Sequence, residues 1–346
     1  MWPRSPDYLS PAVIDPADLR ACRALLAGGS RTFFAASLLL PRRVRDPASA
    51  LYAFCRLADD LIDRERDAAG LERLSARLDG IYAGRPGPAA ADRALAAVVA
   101  HHGIPRPLLD ALLEGFRWDA EGRRYETAAD LEAYAVRVAG AVGILMALLM
   151  GVRDAPALAR AADLGIAMQL SNIARDVGED AGMGRLYLPL AWLREAGIDP
   201  DAWLARPAFD PALGAVVRRL LDAADRFYRR ADAGIAALPR GCRPGIRAAR
   251  LLYAGIGDEV ARRGHDSVGG RASVPTARKL ALVGRALLPG RRDDAAAAVP
   301  PAAAARELVE VAAASGRTPW ARPRSLDERV AWVVDLFQRL ERRERA

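Results

Sequence analysis

Two clusters of acidic residues in this sequence have the residue types and the spacing of a divalent-metal site. The first is the run from Arg56 to Asp63, in which Asp59 and Asp63 lie one helical turn apart and Asp60 is nearly in line with them. Like charges at this spacing destabilise a helix, and the apolar run 51–55 before them indicates a half-buried helix. Buried carboxylates need a cation or hydrogen-bond donors nearby. For this cluster alone, a solvated acidic face is the alternative interpretation.

The second cluster, within residues 169–180, favours the metal interpretation. Its polar positions form one stripe on an otherwise apolar helix, and they are Gln169, Asn172, Asp176 and Asp180. The two stripes together supply carboxylate and amide oxygens, with no histidine or thiolate beside them. Such hard ligands suit Mg²⁺ or Mn²⁺ that bridges to the phosphates of a substrate, and they do not suit Zn²⁺.

The composition restricts the function classes without selecting one. The chain has 346 residues, a formal net charge of +8 and 51 basic residues, of which only Lys279 is a lysine. This arginine excess is compatible with coding bias and also with an anionic partner, such as a phosphorylated substrate, acidic lipid or nucleic acid. The arginines are scattered and do not form a stripe with aromatic residues between them, so we expect no nucleic-acid partner.

Other sequence features bear on the cellular compartment. The three cysteines have no metal-binding spacing, the chain has no nucleotide-binding glycine loop, and its first residues lack the pattern of a signal peptide. The apolar stretch 138–152 is too short to span a membrane and predicts a buried core helix. We therefore expect a cytoplasmic protein, with peripheral contact at the inner membrane as an additional expectation.

Turn and capping signals divide the chain into helices, and strand alternation is nowhere convincing. We expect one helix to begin at Asp46 and to carry the first cluster, a second to run from a capping box at Thr127 to about Gly151, and a third to cover 156–180. Further helical patterns cover 212–238, 243–264 and 325–344. The predicted fold class is all-α.

The predicted domain organisation has three parts. Residues 1–290 form the catalytic domain, 291–324 an Ala- and Pro-rich connection that we expect to be flexible, and 325–346 a C-terminal helix. In the last part, apolar residues recur at helical spacing from Leu326 to Leu340, which predicts an amphipathic helix. This helix either packs on the protein core or lies on a membrane surface.

The two clusters resemble the aspartate-rich DxxxD and DxxED motifs of the squalene/phytoene synthase family. The likeness covers about residues 20–285 and includes several further segments, namely 29–33, 138–143, 184–189 and the basic pair Arg271 and Lys279. It implies a single-domain, isoprenoid-synthase-type helical bundle with a central cavity that binds two allylic diphosphates.

The resemblance also implies roles for individual residues. Mg²⁺ or Mn²⁺ would be held by Asp59, Asp60, Asp63, Asn172, Asp176 and Asp180. The substrate diphosphates would be contacted by Arg31, Arg56, Arg175, Arg185, Arg271, Asn172 and Gln169. The ring faces of Phe33 and Tyr134 are expected to stabilise a carbocation.

The implied activity is the head-to-head condensation of two geranylgeranyl diphosphates, through a cyclopropyl diphosphate, to phytoene plus diphosphate, a step of carotenoid biosynthesis. One alternative is synthesis of squalene or dehydrosqualene from two farnesyl diphosphates. Another is a non-enzymatic relative that acts as an assembly protein, which should have lost its metal carboxylates. The small residues Ser37 and Ser49 are expected to line the cavity and leave room for the longer chain; otherwise both lie on helix surfaces.

Overall fold

The computed structural model describes residues 14–29, 31–65, 68–288 and 294–316. Within these ranges every regular element is a helix, which confirms the predicted all-α class. The α-helices are α1 (Pro16–Gly29), α2 (Arg31–Ser37), α3 (Arg42–Glu65), α4 (Ala68–Tyr82), α5 (Ala90–His102), α6 (Arg106–Ala120), α7 (Ala128–Ala135), α8 (Ala141–Leu149), α9 (Ala155–Gly182), α10 (Leu190–Glu195), α11 (Pro200–Ala205), α12 (Pro211–Ile235), α13 (Arg243–Arg262), α14 (Thr276–Ala286), α15 (Asp294–Ala297) and α16 (Arg306–Ala314). A π-helical stretch, Val136–Gly140, joins α7 to α8, and a 3₁₀ turn, Ala303–Ala305, precedes α16.

Helix α9 is the central element of the bundle. It packs against α8, α12, α13 and α16, and its contact with α12 is the most extensive. Asp154 caps its N-terminus, because the carboxylate accepts a hydrogen bond from the Ala157 backbone N–H at 3.2 Å. The helices predicted at 156–180, 212–238 and 243–264 correspond to α9, α12 and α13, with boundaries that agree within three residues.

The π-helical stretch and α8 lie with their backbone directly against α9. A Cβ atom at Gly165 would lie 2.1 Å from the carbonyl oxygen of Ala139, and one at Gly143 would lie 2.1 Å from that of Ala161. Because no side chain fits at either contact, glycine is required where the two helices touch. This close approach explains the glycine-containing segment 138–143.

The structure confirms one predicted helix start and corrects another. Thr127 Oγ1 accepts a hydrogen bond from the Asp130 backbone N–H at 3.2 Å, and Asp130 Oδ2 accepts one from the Thr127 N–H at 2.9 Å, which is the predicted capping box. The predicted helix start at Asp46 is wrong, because α3 begins four residues earlier and contains Pro47. The Asp46 carboxylate is not a cap, since it accepts a hydrogen bond from Arg23 of α1 at 2.6 Å.

The apolar segment 128–149 is long and apolar enough to cross a membrane by length and composition alone. In the structure 61% of its most apolar window is buried inside the protein. Ile144, Leu145 and Leu149 have no exposed surface. We therefore interpret this segment as a helix of the protein core.

The segment that we expected to be a flexible connection contains packed helices. Residues 294–316 include α15 and α16, and Leu308, Val309 and Ala312 of α16 are buried. Helix α16 packs against α6, α8 and α9. Alanine favours helix and its methyl groups pack, which explains the helices found here, and the flexible connection expected at 293–305 stays a prediction. The three-part domain division stays a prediction, and the helix predicted at 325–346 lies outside the described residues.

The imidazole of His102 is buried at the C-terminal end of α5. Its exposed fraction is 1%, and it lies near Arg153, His101 and the backbone of Leu148. The pKa of His102 is lowered to about 3, mainly by burial and also by the neighbouring His101 and Arg153. The folded protein therefore holds this imidazole neutral well below neutral pH.

We expect His102 to make the protein sensitive to acid. Its pKa is about 3 in the folded state and ordinarily 6.5, so below pH 6.5 the unfolded chain binds a proton that the folded protein does not. The free energy of unfolding should therefore fall as the pH drops from 6.5 towards 3, by about 2 kcal/mol at pH 5. In H102Q this contribution is absent. The free energy of unfolding, measured with urea, should therefore differ less between pH 7 and pH 5 in H102Q than in wild type. Equal differences would contradict this prediction.

Candidate active site

A cavity of about 360 Å³ runs along one face of α9. The wall residues of α9 recur every three or four positions from Ala157 to Asn172, as expected for one face of a helix. Most of the wall is apolar and comes from α3, α8, α12 and α13 as well as α9. Polar side chains from α9 lie towards its two ends, with Gln169 and Asn172 towards one end and Arg160 towards the other, one turn after Ala157 on the same wall.

The first acidic cluster lies on α3, directly after the turns that form the cavity wall through Tyr52 and Cys55. Arg56 contacts both described aspartates, with Nη2 2.8 Å from Asp60 Oδ1 and Nη1 3.7 Å from Asp59 Oδ2. Both carboxylates are half-buried. Asp63 belongs to the same helix, but its side chain lies outside the description and its role stays a prediction.

The second acidic cluster is held by arginines that we predicted to bind phosphate. Asp176 Oδ1 accepts a hydrogen bond from Arg175 Nε at 2.6 Å and lies 3.0 Å from Arg271 Nε. Arg271 Nη1 also lies 3.4 Å from Glu179 Oε2. Two guanidinium groups therefore meet at one carboxylate, beside the cavity wall at Asn172.

Negative charge is concentrated around Asp180, one turn after Asp176 on α9. The pKa of Asp180 is raised to about 7, mainly by burial and also by the carboxylates of Asp176, Asp119 and Glu179, while Arg185 opposes the rise. Arg185 therefore lies near Asp180 and Asp119, and its predicted contact with phosphate stays a prediction. A carboxyl group with this pKa marks a place where a further positive charge would be stabilising.

Asp119 is a site residue that the sequence analysis did not identify. It lies near the end of α6, and its carboxylate accepts hydrogen bonds from Tyr187 Oη at 2.7 Å and from Tyr134 Oη at 2.9 Å. Burial raises its pKa to about 6, and the negative charge of Asp59 contributes to this rise. Because Asp119 interacts with Asp59 on α3 and with Asp180 on α9, it shows that the fold brings the two clusters together. A single aspartate at the end of an apolar helix has no spacing that would reveal it.

The side chains at this end of the cavity fit a hard divalent cation. Asn172 Oδ1 is buried and accepts no hydrogen bond from any residue that the structure describes, which is unusual for a buried amide. Among the described residues, no three or more Asp, Glu, His or Cys side chains form a group that could hold a metal ion by itself. Mg²⁺ commonly takes one or two carboxylates together with substrate phosphates, so two separated clusters suit it.

The two predicted aromatic residues have different surroundings. Phe33 lines the cavity and stacks on Tyr52, with ring centroids 5.7 Å apart. Tyr134 is buried beside Tyr187 and donates to Asp119, and it is not among the described wall residues. Its predicted contact with a carbocation therefore stays a prediction. Arg31 begins α2, and its side chain lies outside the description.

The two serines that we expected to line the cavity do not belong to its described wall. Ser37 and Ser49 are 2% and 0% exposed, so a position on the helix surface is also wrong. Their hydroxyl groups donate to the carbonyl oxygens of Phe34 at 2.7 Å and Arg45 at 2.8 Å. Ala48, one residue before Ser49, lines the cavity instead.

Arg271 reaches the second cluster because the loop that carries it packs on α9 at Gly178. The Gly178 N–H donates to the carbonyl oxygen of Ser267 at 3.0 Å. A Cβ atom at Gly178 would lie 2.9 Å from Val268 Cα. The absence of a side chain at this position therefore allows the loop to approach, and the loop places Arg271 against Asp176.

The sequence and the fold of this chain are similar to those of known proteins. The squalene/phytoene synthase family model matches residues 26–279. The chain is 55% identical over 280 residues to a phytoene synthase of Rhodobacter capsulatus, covering 80% of this chain and 83% of the relative. It is 54% identical over 283 residues to a phytoene synthase of Cereibacter sphaeroides, covering 79% and 80%. The solved structure of a dehydrosqualene synthase with a ligand matches with a TM-score of 0.73 and 32% identity, covering 78% of this chain and 95% of that one.

The chain therefore belongs to the squalene/phytoene synthase family, whose enzymes use prenyl diphosphates. This confirms the resemblance inferred from the two aspartate motifs and their neighbouring segments. The structural match also confirms the helical isoprenoid-synthase fold.

Replacing Gly178 with alanine should displace the loop that carries Arg271. The new methyl group would meet backbone atoms of Ser267 and Val268 at 3.0 Å or less, so we expect a loss of about 1–3 kcal/mol in the free energy of unfolding. The KM for a prenyl diphosphate should rise as Arg271 moves. Urea unfolding and steady-state kinetics measure the two effects.

Gly182, at the end of the same helix, provides the matched control. A Cβ atom there meets no heavy atom within 4 Å, so G182A should keep wild-type stability and KM. If G178A and G182A behaved alike, the packing argument for this loop would be wrong.

Proposed function

We propose that this protein is a phytoene synthase that condenses two molecules of geranylgeranyl diphosphate head to head. The observation that carries the proposal is the identity of 54–55% to two bacterial phytoene synthases. The site supports it, since both acidic clusters lie at one end of a largely apolar cavity. A non-enzymatic assembly role is disfavoured, because such a protein has no reason to keep these carboxylates together.

The polar end of the cavity would bind the diphosphates and their metal ions. Mg²⁺ or Mn²⁺ would be held by Asp59, Asp60, Asp63, Asn172, Asp176 and Asp180, and when bound it neutralises the charge of the leaving group. Arg175 and Arg271 lie against Asp176 and are placed to donate hydrogen bonds to phosphate oxygens. Arg56 has the same position relative to the first cluster.

The apolar part of the cavity would hold the two prenyl chains and protect the cation from water. Loss of diphosphate from one substrate leaves an allylic cation, and the double bond of the other attacks it. Loss of a proton then gives the cyclopropyl diphosphate. A second loss of diphosphate, rearrangement and loss of another proton yield phytoene. Leu164 and Met168 help to exclude water, and the rings of Phe33 and Tyr253 line the same space and can stabilise positive charge.

Product identification tests this proposal. The purified protein is incubated with geranylgeranyl or farnesyl diphosphate, with Mg²⁺ or EDTA, and with or without NADPH. We expect phytoene from geranylgeranyl diphosphate, no requirement for NADPH and no turnover in EDTA. Preferred formation of squalene or dehydrosqualene from farnesyl diphosphate would support the alternative function, which the match to a dehydrosqualene synthase structure favours. Absence of any prenyl product would refute both.

Removing one carboxylate from either cluster should abolish turnover while leaving the fold intact. For D59A and D176A we expect kcat/KM to fall by roughly 100-fold or more, since each residue would be a metal ligand. For D59A the melting temperature should change little, because the half-exposed ion pair of Asp59 contributes little to stability. For D176A the melting temperature should also fall, because this carboxylate is only 16% exposed and its loss leaves the largely buried Arg175 without its partner. Kinetics and thermal unfolding measure both effects.

Asp225 is a suitable control for these two variants. Its carboxylate is 55% exposed and pairs with Arg229 one turn away on α12, far along the chain from either cluster. D225A should keep wild-type kcat/KM. Substantial activity in D59A or D176A would argue against the metal assignment.

We also propose a cytoplasmic location with peripheral contact at the inner membrane. Three leucines at α14 and just after it, Leu280, Leu287 and Leu288, are 69%, 61% and 62% exposed. Exposed apolar groups of this kind suit contact with lipid, and a hydrocarbon product requires an apolar destination. Co-sedimentation with phospholipid vesicles tests the contact, and protein that stays entirely in the supernatant would contradict it.

A further inference from the structure

The part of the cavity away from the aspartates is bordered by a buried charged cluster. Arg160 of α9 lines the cavity although only 1% of its surface is exposed. Its Nε lies 2.8 Å from Asp163 Oδ2, and Arg230 Nη2 of α12 lies 3.1 Å from Asp163 Oδ1. Asp163 has no exposed surface. Moving either partner away would leave a buried charge uncompensated, which is strongly unfavourable.

The same cluster holds residues 294–300, which we call the C-terminal strap, against the bundle. Arg160 Nη1 donates to the carbonyl oxygen of Ala296 at 2.5 Å, and Arg230 Nη2 donates to that of Pro300 at 2.7 Å. A Cβ atom at Gly234 would lie 2.3 Å from Arg160 Cβ, so the stem of the arginine is tightly packed against α12. Arg160 therefore has the cavity on one side and the C-terminal strap on the other.

The position of Arg160 matches the length of a 20-carbon prenyl chain. Asn172 and Arg160 lie twelve residues apart on the cavity face of α9, which corresponds to about 18 Å. An extended geranylgeranyl chain spans about 19 Å and a farnesyl chain about 14 Å, at roughly 1.25 Å of length per carbon–carbon bond. A chain whose diphosphate lies beside Asn172 would thus end near Arg160 when it has four isoprene units.

We propose that Arg160 is the chain-length stop of this cavity. With Asp163, Arg230 and the C-terminal strap it forms a polar end wall that admits four isoprene units and excludes a fifth. A longer chain must press apolar carbon against the buried guanidinium or displace it from its partners, and both are unfavourable. A shorter chain leaves the end of the cavity unfilled and loses apolar contact. This proposal rests on the proposed function, because it concerns the substrate of the same site.

Replacing Arg160 and Asp163 together tests whether this cluster limits the length of the prenyl chain. In R160L/D163L the Arg160 guanidinium and the Asp163 carboxylate are removed together, and the shorter leucine opens the end of the cavity. Arg230 loses Asp163, but it is partly exposed and keeps the Pro300 carbonyl oxygen as an acceptor. We expect the ratio of kcat/KM for geranylfarnesyl diphosphate to that for geranylgeranyl diphosphate to rise at least tenfold. The ratio for farnesyl against geranylgeranyl diphosphate should stay within threefold. An unchanged first ratio in the active double variant would overturn the proposal.

A second variant moves the end wall in the opposite direction and leaves the charged cluster intact. Ala161 lines the cavity next to Arg160, so the leucine of A161L would fill the space of the last isoprene unit. We expect the ratio of kcat/KM for farnesyl against geranylgeranyl diphosphate to rise at least tenfold. If this ratio did not move, the length argument would be refuted even where R160L/D163L fails to fold.

Arg153 provides the matched control for a general loss of contact between the C-terminal part of the chain and the helical bundle. It too binds the C-terminal part of the chain, through the hydroxyl of Ser315, and it also donates to the carbonyl oxygen of His102, but it is not among the described wall residues. R153L should lower stability without changing either ratio. A shift like that of R160L/D163L would show that loosening alone changes selectivity, and would overturn the proposal. Wild-type protein inactive on every prenyl diphosphate would instead refute the proposed function.

Discussion

Carboxylates from three helices meet at one end of an apolar cavity, and their mutual repulsion must be offset by positive charge. Asp59 comes from α3, Asp119 from α6 and Asp180 from α9; the charge of Asp59 raises the pKa of Asp119, and the charge of Asp119 raises that of Asp180. Arginines supply part of the compensation, as Arg185 does for Asp119 and Asp180. The three helices can bring these groups together only because the rest of the bundle fixes their relative positions. Burial of the apolar core therefore supports an arrangement that the charges alone would disfavour.

Helix α9 connects the chemistry of the site to its capacity for substrate. One face of this helix carries Asn172 at the polar end of the cavity and Arg160 towards the opposite end, so the rise per residue of the helix sets the distance between them. The π-helical stretch lies directly against α9 at Gly165, because this residue has no side chain to keep the two backbones apart. A helix held this closely is a rigid scaffold, and a cavity built along it has a defined length.

Patterns within one helix were predictable from the sequence, whereas features that depend on contacts between helices were not. The stripe from Gln169 to Asp180 follows from residue spacing alone, and so does the capping box at Thr127. The contacts of Asp119 with Tyr187 and of Asp163 with Arg230 could not be found in this way, because these partners come from distant segments. Periodicity also placed Ser49 on the cavity wall, where the structure has Ala48, since a shift of one residue turns a side chain by about 100° around the helix.

The arginines and aspartates at the polar end are arranged so that each can exchange partners. Arg175 and Arg271 lie against Asp176, which is also a predicted metal ligand. A metal–diphosphate complex presents a cation to the carboxylate and phosphate oxygens to the guanidinium groups. Binding would then replace one set of ion pairs by another, and no charged side chain would have to be newly buried without a partner. Since desolvation is the main cost of burying charge, this arrangement reduces the cost of closing the apolar cavity over a highly charged substrate.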